Sequence, residues 1–104
     1  MITLTDENFE QEIQNTDKPF LVDFWSQMCA PCLAMGSIIE EIDSEFEGKI
    51  KVGKLNVGES LEIARKYGIM AVPTFIIFKN GQEIERIIGA KSKQSLVDKL
   101  SPLI

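Results

Sequence analysis

Histidine is absent from this chain of 104 residues, and cysteine occurs only twice. The absence of histidine removes the side chain that most often serves as a general base near neutral pH and as a metal ligand. A closed structural zinc site needs four ligands, usually cysteine or histidine, and two cysteines cannot complete such a shell. No metal site is therefore expected.

Positive charge is also scarce, because 11 Lys and Arg residues face 16 Asp and Glu residues, and the net charge is -5. Without a basic tract the chain gains nothing from neutralising phosphates, which argues against nucleic-acid binding. No apolar run approaches the length of a membrane span, so no membrane association is expected. The opening residues, MITLTDENFEQEI, lack the basic and apolar regions of a secretory signal, and a cytoplasmic location is expected.

The length suits one domain over residues 1–104, and no repeat, low-complexity tract or linker divides it. Apolar patterning predicts strands over residues 20–25, 50–56, 74–79 and 82–88, and helices near residues 6–13, 35–46, 60–67 and 93–100. Asn80-Gly81 between the last two strands is a strong hairpin signal. This order predicts an α/β fold, with a central mixed sheet flanked by helices on both faces. Its parallel pairs would come from the crossovers, and the hairpin would be the one antiparallel pair.

Three residues are expected to form the buried face of the short third helix, namely Leu61, Ala64 and Tyr67. The strand over residues 20–25 reads Phe-Leu-Val-Asp-Phe-Trp, an almost continuous apolar run. Such a run is typical of a strand that helices cover on both faces.

The two cysteines, Cys29 and Cys32, stand in a Cys-Ala-Pro-Cys segment where this strand gives way to a helix. Pro31 between them is typical of a first helical turn. We therefore expect Cys29 at the helix N-terminus, where free backbone N–H groups and the helix dipole stabilise a thiolate. Cys32 lies about one turn further on, within reach for a disulfide. The pair predicts a redox dithiol, and two inert buried thiols are the alternative.

Asp23 is the single carboxylate in the apolar strand and shares a strand face with Trp25. Burial would raise its pKa and suit it to accept the proton of Cys32, whereas a carboxylate that reaches water is the alternative. Lys54 lies in the next predicted strand and either pairs with Asp23 or extends to the surface. The Val72-Pro73 bond is either cis or the ordinary trans start of a strand.

Four motifs follow one another at fixed spacing. Residues 22–26 read V-D-F-W-S, residues 28–32 read M-C-A-P-C, residues 68–74 read G-I-M-A-V-P-T, and F-K-N-G precedes Gly89-Ala90. In this order they resemble the thioredoxin family over nearly the whole chain. The resemblance implies the thioredoxin fold and a protein-disulfide reductase that acts on disulfides of target proteins.

Residue roles follow from the resemblance. Cys29 would be the nucleophile, Cys32 the resolving thiol, Asp23 the buried acid–base group and Lys54 its neighbour, with a cis Val72-Pro73 bond facing the sulfurs. An extended target segment would bind an apolar surface formed by Trp25, Met28, Ala30, Pro31, Val72, Pro73, Gly89 and Ala90. The implied partners are a thioredoxin reductase and disulfide-containing proteins. We expect a monomer, with no cofactor beyond the Cys29–Cys32 disulfide.

Some positions depart from the family pattern. Met28 replaces a tryptophan, Ala30 replaces the glycine between the cysteines, and Leu33 replaces a basic residue, while Ser37 and Gly58 replace a common proline and aspartate. These changes bear on the choice of partner and on the redox potential. The alternative function is a non-catalytic thioredoxin-fold subunit that docks on a partner and stabilises it. Retention of both cysteines and of Asp23 argues against that alternative.

Overall fold

The computed structural model describes all residues 1–104 and contains five strands and four α-helices. In chain order these are β1 (Ile2–Leu4), α1 (Phe9–Gln14), β2 (Phe20–Trp25), α2 (Ala30–Glu45), β3 (Lys51–Asn56), α3 (Leu61–Lys66), β4 (Thr74–Lys79), β5 (Gln82–Ile88) and α4 (Lys93–Leu100). The strands form one mixed sheet in the order β1-β3-β2-β4-β5, with β2 at its centre. No helix has both the length and the apolar character needed to cross a bilayer.

Helices cover both faces of the sheet, as the sequence predicts. On one face α2 and α4 pack through buried side chains such as Ile39 and Leu96. On the other face α1 and α3 pack through Phe9 and Ile63. The central strand β2 lies between these layers and is buried from its first residue to Phe24, which explains its apolar run.

The hairpin between β4 and β5 is confirmed, with the predicted strand limits. Its two turn residues, Asn80 and Gly81, have φ angles of 53° and 79°. Type I′ turns require positive φ at both central positions, and Asn-Gly is the pair that adopts them most readily. Local turn chemistry therefore decides this part of the sheet.

The predicted single antiparallel pair is wrong, because β4 also runs antiparallel to β2. The length of α3 explains the difference. A six-residue helix spans about 9 Å, whereas a six-residue strand spans about 20 Å. The chain leaves β3 at one end of the sheet, and α3 is too short to return it to the other end. The strand β4 therefore starts near the edge where β3 ended.

Two further details differ from the sequence prediction. The three-residue strand β1 was not expected, because it is too short to show an alternating pattern; it pairs in parallel with β3. In α3 the buried residues are Ile63 and Ala64, whereas Leu61 is 52% exposed. The helix begins only at Leu61, and its first turn is held by the Asp6 carboxylate, which accepts hydrogen bonds from the N–H groups of residues 62 and 63.

Gly53 in β3 is required by a close approach of neighbouring side chains. A Cβ atom at this position would lie 2.7 Å from Leu4 Cδ1 and 3.0 Å from Phe20 Cε1. We expect Gly53→Ala to lower the free energy of unfolding by about 1–3 kcal/mol, because the buried layer would be overpacked. Urea unfolding measures this change.

The matched control is Gly36→Ala in the interior of α2, where an added Cβ meets no atom within 4 Å. That variant should be more stable than the wild type by up to about 1 kcal/mol, since alanine has the higher helix propensity. Equal effects of the two substitutions would contradict the packing argument for Gly53.

Candidate active site

The start of α2 places the two cysteines. Cys29 is the N-cap residue, and Pro31 occupies the first turn, where its missing N–H costs no hydrogen bond. The two sulfurs form a disulfide, and the Cα atoms of Cys29 and Cys32 are 5.2 Å apart. Cys29 Sγ also accepts a hydrogen bond from the backbone N–H of Cys32 at 3.1 Å. The sequence prediction that Cys29 lies at the helix N-terminus is confirmed.

The two sulfurs differ in their access to solvent. Cys29 is partly exposed, whereas Cys32 is only 3% exposed. The helix causes this difference, because Cys29 is its N-cap residue at the rim of the sheet, whereas Cys32 is its third residue and turns inward toward the core. An external sulfur can therefore reach Cys29 but not Cys32.

The segment before β4 lies against the first sulfur. The Val72-Pro73 peptide bond is cis, and the Val72 carbonyl oxygen lies 3.7 Å from Cys29 Sγ. The Pro73 carbonyl accepts a hydrogen bond of 2.8 Å from the N–H of Gly89, which ties this segment to the end of β5. The structure thus brings together the sulfurs, Val72-Pro73 and Gly89.

Asp23 is buried in the middle of β2, with 1% of its surface exposed. Its Oδ1 has no hydrogen-bond partner in the protein. Burial raises the pKa of Asp23 to about 6, and the charge of Lys54 offsets this rise in part. The interpretation of Asp23 as a buried carboxylate is therefore confirmed, and the alternative that it reaches water is wrong.

Lys54 is directly opposite Asp23 in the parallel pairing of β2 and β3. The ion pair that the sequence left open is nevertheless absent, because Lys54 takes part in none of the salt bridges. Its Nζ instead lies 4.7 Å from the centroid of the Trp25 ring, a cation–π contact. The lysine therefore acts on Asp23 through space and not through a hydrogen bond.

The residues predicted to form the target surface differ in exposure. Met28 is 93% exposed, Ala30, Pro31 and Ala90 are exposed, and Trp25, Val72 and Gly89 are partly buried. Pro73 is buried, so that Val72 is the accessible residue of that pair.

Sequence reasoning missed Met70. Its side chain is 96% exposed, and it precedes Val72 by two residues. Apolar periodicity cannot indicate its exposure, because residues 69–73 belong to no helix or strand. From the sequence alone, an isolated methionine in such a segment is equally compatible with a core position. Met70 is a second exposed thioether in addition to that of Met28, in the segment whose Val72 carbonyl lies against Cys29.

Comparison with known proteins gives one consistent result. The family model described as thioredoxin matches residues 1–102. A thioredoxin from Rickettsia bellii is 45% identical over 95 residues, which are 91% of this chain and 90% of the relative. Thioredoxin 1 of a Nostoc species is 44% identical over 93 residues, covering 89% and 87% of the two chains. A thioredoxin from Alicyclobacillus acidocaldarius is 44% identical over 103 residues, covering 99% and 97%.

The buried carboxylate gives a stability prediction with a defined sign. The pKa of Asp23 is about 6 in the folded protein and 3.8 in an ordinary environment. The folded state therefore binds the proton more tightly, and its stability falls as the pH rises from about 4 through about 6. We expect Asp23→Asn to be more stable than the wild type by about 2–3 kcal/mol above about pH 7.

The measurement is urea unfolding of the oxidised protein between about pH 4 and about pH 8. The difference between Asp23→Asn and the wild type should shrink toward the acid end of that range. Asp17→Asn, at an exposed position, is the control that removes the same charge from the surface. A stability difference independent of pH would contradict a raised pKa for Asp23.

Proposed function

The chain belongs to the thioredoxin family, whose chemistry is dithiol–disulfide exchange, and we propose that it reduces disulfides of target proteins with Cys29 as nucleophile and Cys32 as resolving thiol. The proposal rests chiefly on one observation. The two cysteines form a disulfide at the start of α2, with the first partly open to solvent and the second buried. That asymmetry suits a pair in which one sulfur meets the target and the other releases it.

The reaction proceeds in two exchanges. The Cys29 thiolate attacks one sulfur of a target disulfide, whose S–S bond breaks, and the other target sulfur leaves as a thiolate that takes up a proton. Cys32 then loses its proton and attacks Cys29 Sγ, and the mixed disulfide breaks. The target leaves with both sulfurs reduced, and two electrons have passed from the Cys29–Cys32 pair to it.

Two features of the helix start support the role of Cys29. The backbone N–H of Cys32 donates to its sulfur, and the first turn of α2 contains no acidic residue that would repel a thiolate. Both features, together with the helix dipole, favour the ionised form of Cys29.

Asp23 is the proposed proton acceptor for Cys32. A carboxylate with a pKa of about 6 is ionised at neutral pH, yet it accepts a proton more readily than an ordinary aspartate. Its Oδ1 is free of hydrogen bonds, so no partner has to be displaced when the proton arrives. Lys54, over the Trp25 ring, keeps this carboxylate from becoming a stronger base and is a positioning residue.

The target segment is proposed to bind in an extended form across the apolar surface of Trp25, Met28, Ala30, Pro31, Val72, Gly89 and Ala90, with Pro73 buried next to Val72. Met28 supplies a flexible, nearly fully exposed side chain that can adapt to different sequences. The Val72 carbonyl beside Cys29 Sγ is a hydrogen-bond acceptor for a backbone N–H of such a segment.

Recharging requires an electron donor, because each turnover leaves the Cys29–Cys32 disulfide in place. We propose a thioredoxin reductase as that donor, acting on a monomer of this chain in the cytoplasm. No metal or organic cofactor has a step in the reaction, since the two sulfurs carry both electrons.

Replacing the resolving thiol should trap the targets. In Cys32→Ser the mixed disulfide on Cys29 forms but has no neighbouring thiol to release it, so covalent complexes should accumulate on a non-reducing gel. Cys29→Ser should form none. The double variant, with serine at both positions, separates this function from a docking subunit. Equal partner binding by the double variant and the wild type would support docking and contradict the reductase.

Asp23→Asn should slow the second exchange more than the first. The amide cannot accept the Cys32 proton, so release of a preformed mixed disulfide should be slowed about 100-fold, within the usual range for general bases, while the first attack changes little. Stopped-flow single turnovers resolve the two steps. The release rate of the wild type should fall below about pH 6, and that of the variant should not show this step. Equal slowing of both exchanges would contradict the assignment.

A further inference from the structure

One cavity is lined in part by Trp25 and has neither cysteine in its wall. It has a volume of about 200 Å³ and is lined by residues of β1, of β3 and of the loop before α3, together with Trp25 at the end of β2. A cavity of about 150 Å³ accommodates benzene, so this one has room for a small organic molecule. The proposed disulfide chemistry uses Trp25 and Lys54 but none of the other six residues that line the cavity.

The topology places this cavity where α/β sheets bind ligands. The strands β1, β3 and β2 run parallel, so their carboxyl ends lie at one edge of the sheet. The helix that follows β2 packs on one face, whereas the helix that follows β3 packs on the other. The chain thus leaves two adjacent strands in opposite directions, which opens a crevice between their ends. Trp25 and Asn56, the last residues of β2 and β3, are paired there and both line the cavity.

Lys54 supplies a positive charge at this crevice. It lies between Thr3 of β1 and Asp23 of β2 in the strand register, and it is partly buried. The Trp25 ring covers one side of its ammonium group, and no salt bridge neutralises it. An ammonium group carries three N–H donors, and a ring face cannot satisfy all of them. The remaining donors are available to an anion in the cavity.

Ser60 supplies a second, neutral hydrogen-bonding group. It is the N-cap residue of α3 and only 4% exposed, but its hydroxyl makes no capping hydrogen bond. The reason is that the Asp6 carboxylate already binds the N–H groups of Glu62 and Ile63, which an N-cap hydroxyl would normally serve. This hydroxyl is in the wall of the cavity and is not fully buried, since Asp23 Oδ1 is the only fully buried side-chain polar atom without a partner. Water reaches the Ser60 hydroxyl there, and a ligand in the cavity can replace that water.

We propose that this crevice is a second binding site, for a small organic carboxylate whose anionic end pairs with Lys54 and Ser60 and whose apolar part lies against Trp25. The apolar wall and the size of the cavity favour a ligand of about the size of benzoate over an inorganic anion. Glu59, the one acidic residue of the lining, is exposed and disfavours a second negative charge, so the site selects a monoanion. This site goes beyond disulfide reduction and does not depend on it.

The test is titration of the oxidised protein with sodium benzoate, followed by ¹H–¹⁵N chemical shifts at constant ionic strength. We expect saturable shifts at Thr3, Lys54, Asn56 and Ser60, with a Kd of about 1 mM, a common value for so small a ligand. Benzyl alcohol and benzylammonium have the same ring without the negative charge and should bind at least about tenfold more weakly. Equal affinity for benzoate and benzyl alcohol, or benzoate shifts spread over the whole surface, would overturn the proposal.

Substitutions test which side chains make the cavity prefer a negatively charged ligand. Lys54→Met keeps the length of the side chain and should weaken benzoate binding about tenfold, whereas Lys51→Met, on the same strand but outside the cavity, should leave it unchanged. Ser60→Ala should weaken it about threefold, and Glu59→Gln should strengthen it about twofold. Wild-type affinity in Lys54→Met would contradict the site. If that variant does not fold, unchanged affinity in both Ser60→Ala and Glu59→Gln contradicts it equally.

Discussion

The burial of β2 on both faces is the constraint on which the rest of the structure depends. Because helices cover it on either side, every side chain of Phe20–Phe24 is excluded from water, including that of Asp23. The same strand ends at Trp25, and α2 begins at Ala30 after a short connection, so β2 places Cys29 at the start of that helix. One buried strand thus positions both the carboxylate and the sulfurs, and the proposed chemistry follows from their common support.

Lys54 of β3 places a positive charge near Asp23 but forms no ion pair with it. Lys54 is opposite Asp23 across the strand pair, yet its ammonium group lies over Trp25. The pKa of Asp23 therefore stays raised by burial and is lowered only in part by the lysine. A direct ion pair would have made Asp23 an ordinary, weakly basic carboxylate. Lys54 also lines the crevice, so one side chain connects the dithiol site with the proposed anion site.

The short α3 has consequences beyond its own packing. Because it cannot carry the chain back across the sheet, β4 begins at the edge where β2 ends, and Val72 reaches Cys29. Asp6 takes over the capping of this helix and leaves the Ser60 hydroxyl free. The position of Val72 beside Cys29 and the free Ser60 hydroxyl at the cavity therefore both depend on how α3 is placed and capped.

The sequence by itself determined the elements whose signals are local. Asn80-Gly81 specified the strand limits of the β4–β5 hairpin, and apolar spacing specified the two helix layers. Pro31, two residues after Cys29, specified the position of Cys29 at a helix start. Only the tertiary structure decided the features that depend on which strands become neighbours. These are the antiparallel pairing of β2 with β4, the exposure of Met70, and the contact of Lys54 with the Trp25 ring in place of an ion pair with Asp23. Local patterns specify backbone conformation and the face of an element, whereas strand order and the partner of a long side chain depend on contacts between residues far apart in the chain.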